Sequence, residues 1–315
     1  MKVIFMGTPD FSVPVLNELL ADERVDVAAV VTQPDRPKGR KRKLTPPPVK
    51  VLALENGLPV LQPEKVRDPQ SVADILSYRP DLLITAAYGQ ILPRTLLAGP
   101  PLGCINVHAS LLPEYRGAAP IQQAIIDGRT ETGVTIMYMV EKLDAGDILS
   151  QVSVPIDDHD TFGTLHDKLS AAGAGLLMKT LPGLAAGECR PVPQDDDKAT
   201  YAPSIRREDE AINWRKTAGE VRNLIRGLNP FPGAFTKLDG KELKIFAAEP
   251  AKVSAGKAMP GTIVKIEEDG FLVAAGSSTA LKVTECQPSG KKRMSASAFL
   301  RGRTLPTGAV LGEPL

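Results

Sequence analysis

Four short apolar runs constrain this chain most: residues 2–6, 25–31, 81–87 and 102–108. Each is too short for a helix and rich in Val, Ile or Leu, the pattern of a strand buried on both faces. Between the first two, residues 11–21 carry apolar side chains at helical spacing. Asp68-Pro69 offers an N-cap and a proline at the first helical position, opening a helix to about Tyr78. Alternating strands and helices predict an α/β fold with a Rossmann-like, doubly wound sheet, whose sites lie at the carboxyl ends of strands. Gly7-Thr8-Pro9 follows the first strand but is not a G-x-G-x-x-G turn. Pro9 cannot imitate the close backbone approach of the second glycine, so no dinucleotide is expected there. Residues 134–140 and 148–156 read as an added hairpin, and 161–186 as a long closing helix.

A chain of 315 residues has room for two domains. Residues 190–205 contain Pro191, Pro193, Pro203 and the run Asp195-Asp196-Asp197, and read as an extended linker between domains at 1–189 and 206–315. Beyond it comes a helical stretch at 218–228. Five short strands follow, at 234–238, 243–247, 261–267, 270–275 and 280–286, which predict a small OB-like β-barrel. The net charge of +1 conceals an asymmetry. Residues 1–205 hold 20 Lys+Arg against 25 Asp+Glu, and residues 206–315 hold 18 against 12. A basic C-terminal module suits a polyanionic partner, although a solvated basic face has the same composition, and a barrel alone does not decide function.

Cys104, Cys189 and Cys286 are far apart and odd in number, with neither disulfide-scaffold nor metal-site spacing. With only three histidines, no metal is expected. A reducing, cytoplasmic setting fits these cysteines, as does an N-terminus that enters a strand directly with no signal-like segment. No apolar run approaches membrane-spanning length.

Asn106-Val107-His108-Ala109-Ser110 ends the fourth apolar run. With a period of two, Asn106, His108 and Ser110 share one face. An amide can donate to a developing oxyanion, and an imidazole can act as acid, base or cation. Asp144, in the turn of the later hairpin, could swing in on a mobile loop to orient His108 and stabilise its charged form. The three suit acyl transfer to an amine, while a capped, hydrogen-bonded turn uses the same residue types. Ser110 lacks the G-x-S-x-G elbow of a hydrolase nucleophile.

The whole segment NVHASLLPEYRGAAPIQ from Asn106 to Gln122, followed by Gly133-Val134-Thr135-Ile136 and Leu143-Asp144-Ala145-Gly146-Asp147, resembles the 10-formyltetrahydrofolate-dependent formyltransferases. So do Met6-Gly7-Thr8-Pro9-Asp10-Phe11, Thr32-Gln33-Pro34-Asp35-Arg36-Pro37, Ala87-Tyr88-Gly89, Asn229-Pro230-Phe231-Pro232 and Gly290-Lys291-Lys292-Arg293-Met294. In order and over nearly the full chain, they are similar to the branch of that family whose acceptor is methionylated initiator tRNA.

The resemblance implies 10-formyltetrahydrofolate as formyl donor, initiator methionyl-tRNA as partner and a role in translation initiation, with no metal, membrane or obligate protein partner. It implies catalysis by Asn106, His108 and Asp144. It places folate against Ser110, Leu111, Leu112 and Pro113 and against Tyr88, Gln90, Ile91 and Leu92. It gives the basic run Arg36, Lys38, Arg40, Lys41, Arg42 and Lys43 to tRNA phosphates. Two other functions share parts of this pattern. A folate-dependent enzyme acting on a small amine would keep the three polar residues but not need the basic run. A non-catalytic RNA-binding protein would need the basic segments alone.

Overall fold

The computed structural model describes residues 1–39, 42–251 and 255–312. They form two compact units. The first is Met1–Pro120, Glu131–Pro155 and His166–Pro203, and the second is Ile121–Thr130, Ile156–Leu165 and Ser204–Leu315.

In chain order the first part of the molecule runs β1 (Lys2–Gly7), α1 (Val13–Ala21), β2 (Asp26–Val31), β3 (Arg36–Lys38), β4 (Lys43–Thr45), α2 (Pro48–Glu55), β5 (Val60–Leu61), α3 (Pro69–Ser77), β6 (Leu82–Ala86), α4 (Arg94–Leu97), β7 (Cys104–His108), α5 (Pro120–Ile126), β8 (Glu131–Tyr138), β9 (Ile148–Pro155) and α6 (Phe162–Ala185). The seven-stranded sheet has the order β5-β2-β1-β6-β7-β8-β9. Its first five strands are parallel, and β8 and β9 are added antiparallel. This is a doubly wound α/β sheet whose strand order reverses between β1 and β6, the point where such sheets open a crevice. Val3, Ile4, Phe5 and Met6 are wholly buried, as an unbroken apolar strand between two layers must be.

Strand alternation then decides which residues of β7 are left for chemistry. Val107 turns toward α6, where a Cβ on Gly173 would come within 2.8 Å of its Cγ1. A glycine there lets the helix lie close on the sheet. Asn106 and His108 therefore turn to the opposite face. After β1, Ser12 donates to Ala86 O at 2.5 Å, tying the turn to the end of β6.

The basic run is flanked by two short strands that form a small antiparallel hairpin. Arg36 pairs with Thr45 and Lys38 with Lys43. Gly39 and Arg42, both at positive φ, flank its turn. Charge composition did not reveal the pairing, because alternation is short and broken by proline.

The second unit contains α7 (Ala218–Gly227), β10 (Ala234–Leu238), β11 (Lys241–Pro250), β12 (Ile263–Glu267), β13 (Gly270–Ala274), β14 (Ala280–Pro288), β15 (Met294–Ser295) and α8 (Ala296–Arg301). A capping box of Thr217 and Glu220 opens α7. The strands are ordered β10-β11-β14-β13-β12, with β15 on β14. Register shifts in β11–β14 and β12–β13 bend the sheet. Residues 308–312 then span its two edges. They exchange bonds with Ile263 of β12, and Gly312 N donates to Lys237 O of β10 at 2.8 Å. Trp214, Phe271 and Val283 lie in the enclosed core. Residues 156–165 belong here because Arg222 donates to Asp158 Oδ1 at 2.8 Å and Arg226 to Asp160 O at 2.8 Å.

The proline-rich stretch read as a linker is extended apart from a 3-10 turn at Asp196–Lys198, but through Pro203 it is part of the first unit. Val192 and Ile148 exchange two backbone bonds of 2.8 Å, and Ala202 N donates to Arg116 O at 2.8 Å. Prolines specify extension; which surface the extended chain lies on is set by partners distant in sequence.

Candidate active site

Asn106 and His108 sit at the carboxyl end of β7, beside β6. Thr85, paired across from Asn106, donates its hydroxyl to Asn106 Oδ1 at 2.7 Å. That leaves the amide nitrogen as the outward, donating end. His108 is 6% exposed, and its Nε2 lies 3.1 Å from Tyr115 O. A carbonyl only accepts, so Nε2 carries the hydrogen and Nδ1 is the nitrogen that gains or loses a proton. Nδ1 faces Asp144 Oδ2 at 3.8 Å. This is beyond hydrogen-bond length but within ion-pair reach, a separation that commonly tightens when substrate binds.

Asp144 does not hang on an untethered loop. Its Oδ2 accepts from Gly117 N at 2.8 Å, and its carbonyl accepts from Gln194 Nε2 at 2.9 Å. Its φ is +45°, a left-handed conformation that Asp tolerates better than most residues. Gly117 has φ +121°, and a Cβ there would sit 2.7 Å from Ala202 O, so only glycine fits and offers that N–H. Gly146 is equally required, because a Cβ would collide with Tyr138 O.

The expected folate residues divide. Ser110 lies past the end of β7, wholly buried, and donates to Glu114 O at 2.6 Å, so its hydroxyl closes a turn. Leu112 is buried, with its N bonded to Thr135 Oγ1 at 3.1 Å and its O to Gln151 Nε2 at 2.9 Å; Leu111 and Pro113 are half-buried. Tyr88 is buried two residues beyond β6. Its phenol oxygen has no hydrogen-bond partner among the described residues, and burial pushes its pKa up. Gln90 is occupied, accepting from Val66 N at 2.8 Å and donating to Pro63 O at 3.1 Å. Leu92 is core, and Ile91 is 86% exposed.

Of the expected phosphate contacts, Arg36 is exposed and paired with Glu64 at 3.0 Å. Arg42 and Lys43 are exposed on the hairpin. Lys38 is placed by its backbone only, and Arg40 and Lys41 lie outside the described residues. Sequence reasoning missed Thr85, Tyr115, Arg116, Gly117 and Gln194. Arg116 and Gly117 stood inside the quoted motif, but Gln194 is separated from Asp144 by 50 residues and carried no local signal. Among the described residues no cluster of three or more His, Cys, Asp or Glu has a metal-holding arrangement, and no helix is long and apolar enough to cross a membrane.

Comparison with known proteins identifies the family of this chain. Residues 1–181 match the family "Formyl transferase", and residues 204–304 match "Formyl transferase, C-terminal domain". The chain belongs to the formyl transferase family. Within it, the methionyl-tRNA formyltransferase of Halalkalibacterium halodurans is 62% identical over 315 residues, covering 99% of this chain and 98% of that protein. The methionyl-tRNA formyltransferase of a Geobacillus strain is 60% identical over 316 residues, with the same coverage. An N-formyltransferase from Helicobacter canadensis, solved with folinic acid and dTDP-3-aminofucose, superimposes with a TM-score of 0.66 at 19% identity. It covers 91% of this chain and 99% of its own, a likeness of fold.

Proposed function

We propose that this protein transfers the formyl group of 10-formyltetrahydrofolate to the α-amino group of methionyl initiator tRNA, giving N-formylmethionyl-tRNA for translation initiation in the cytoplasm. The observation that carries the reading is the convergence of Asn106, His108 and Asp144 on one strand end, in a chain about three-fifths identical to methionyl-tRNA formyltransferases along its length. The buried, unpartnered phenol of Tyr88 at the neighbouring strand end supports a polar ligand there.

The free amine of the methionyl ester attacks the formyl carbon. A C–N bond forms, the carbonyl π pair moves onto oxygen, and a tetrahedral oxyanion results. Asn106 Nδ2–H donates to that oxygen, as does the Nδ1–H of His108 when protonated. An α-amino group with an ordinary pKa of about 7.7–8.0 has a useful neutral fraction near pH 7. The intermediate collapses by breaking the bond to the folate nitrogen, which takes up a proton while the attacking nitrogen gives one up. Asp144, directly or through water, assists the loss of that proton and faces the imidazolium as counter-charge. No side-chain nucleophile is required.

For the second unit we infer an OB-like barrel that holds the tRNA. The edge strands bridged by residues 308–312 support closure, and the excess of 18 Lys+Arg over 12 Asp+Glu in its residues 206–315 supports a polyanionic substrate. The hairpin bearing Arg36, Lys38, Arg42 and Lys43 would add phosphate contacts near the acceptor end, and Arg40 and Lys41, which lie outside the described residues, belong to the same basic run. The direct test is single-turnover formylation from donor labelled in the formyl carbon. Label should appear on the α-amino nitrogen of methionyl initiator tRNA; label released only as free formate would contradict the reading.

A further inference from the structure

Gln194 has every polar valence of its amide used, and all four bonds lead to the candidate site. Its Oε1 accepts from Arg116 Nε at 3.1 Å and Nη2 at 2.7 Å. Its Nε2 donates to Asp144 O at 2.9 Å and Gly146 O at 2.7 Å. A primary amide offers two donor hydrogens and two acceptor lone pairs, so this arrangement is saturated. Arg116 is itself wholly buried. Its Nη1 meets Asp196 Oδ1 at 2.8 Å, and Asp196 is also bonded by Lys142, on the same loop as Asp144. The hydrogen bond from Lys142 and then the neighbouring Arg116 guanidinium hold the Asp196 carboxyl below its usual range.

The same stretch of chain reaches the other partner of the site. Thr200 Oγ1 accepts from Tyr115 N at 2.9 Å, and Tyr115 O is the acceptor for His108 Nε2. The residues after α6 therefore hold the support of His108 at one point and the loop of Asp144 at another. Gln194 grips carbonyls 144 and 146 together, on either side of the turn that carries Asp144.

We infer that residues 192–202 are part of the catalytic apparatus, and that Gln194, seated on buried Arg116, is a positioning residue that sets the carboxylate of Asp144 against His108. This rests on the catalytic reading of Asp144. Gln194 would not touch the reacting atoms; it acts through the loop. Glutamine is the only side chain of this length that can accept from an arginine while donating to two carbonyls. A glutamate would keep the arginine pair and lose both donations.

That contrast supplies the test. Gln194→Glu should fold with a near-wild-type melting temperature, because the buried guanidinium keeps its partner. Its kcat should fall about 10–100-fold, the scale of a 1 Å misplacement. KM for the folate donor and for tRNA should stay within about twofold. The decisive comparison is a double-mutant cycle with Asp144→Ala, read by single-turnover formylation at saturating tRNA. If Gln194 works through Asp144, adding Gln194→Glu to Asp144→Ala should cost nothing further. Equal losses in both backgrounds would overturn the positioning role while leaving Asp144 catalytic. Normal turnover in Asp144→Ala alone would instead overturn the catalytic reading itself. If Gln194→Glu melts early, Gln194→Met, which fills similar space without donors, makes the same cycle.

Discussion

Tyr115 O takes the Nε2–H of His108, so Nδ1 is the nitrogen left for the reaction. Asn106 is treated similarly: the hydroxyl of Thr85 occupies Oδ1 and leaves the amide nitrogen to donate. Each side chain thus arrives with one end spent on orientation and the other free for charge that develops later. Asn106→Ala, His108→Ala and Asp144→Ala should each lower kcat, with Asn106→Ala losing about 10²–10³-fold, the usual cost of an oxyanion donor. KM for tRNA should barely move, which steady-state kinetics with each variant checks. Turnover near wild type in His108→Ala would remove His108 from the chemistry. Thr85→Val keeps the shape of a buried strand residue and deletes the hydroxyl. A lost hydrogen bond of about 1 kcal/mol should cost up to about tenfold in kcat. No change in kcat would mean that Asn106 is oriented by something else.

At the level of elements, period-two and helical patterns located β1, β2, β6, β7, α1, α3 and α6 to within a few residues, because each buries one face or both. The same patterns say nothing of which distant surface an element meets. That is why the extended chain at 190–203 read as a linker, and why Gln194 was invisible: its bonds span 50 and 78 residues. The positions of Asn106 and His108 on one strand face, and of Asp144 in a turn, were legible from period-two alternation and its break; the roles proposed for them came from the resemblance. Their supports, Thr85, Tyr115 and Gly117, were not, since a hydroxyl, a carbonyl and a backbone N–H leave little trace in composition. The β3–β4 hairpin belongs to this scale too. Arg42 and Lys43 are exposed on it, and phosphate contacts release counterions. Arg42→Gln with Lys43→Gln should flatten the plot of log K against log salt by about 1.4 for single-stranded contacts or about 1.8 for duplex. Folate binding should not change. Titrations of initiator tRNA across a salt series decide this, and an unaltered slope would make the hairpin an ordinary solvated charge cluster.

For the whole molecule, residues 1–205 are net acidic and residues 206–315 net basic, and the proposed roles of the two units differ accordingly. The first contains the doubly wound sheet and the side chains proposed to act in acyl transfer. The second, whose residues 206–315 hold the basic excess, is proposed to take the polyanion to which the amine is attached. Enzymes that formylate small amines can share the first unit's chemistry, so acceptor choice is the central claim. The measurement is kcat/KM for formyl transfer from 10-formyltetrahydrofolate to methionyl initiator tRNA, compared under one set of conditions with free methionine, methionyl elongator tRNA and a nucleotide-linked amino sugar. Initiator tRNA should be favoured by orders of magnitude over every small amine, and Asp144→Ala should lower that transfer strongly. A small amine formylated as efficiently as the tRNA would contradict it.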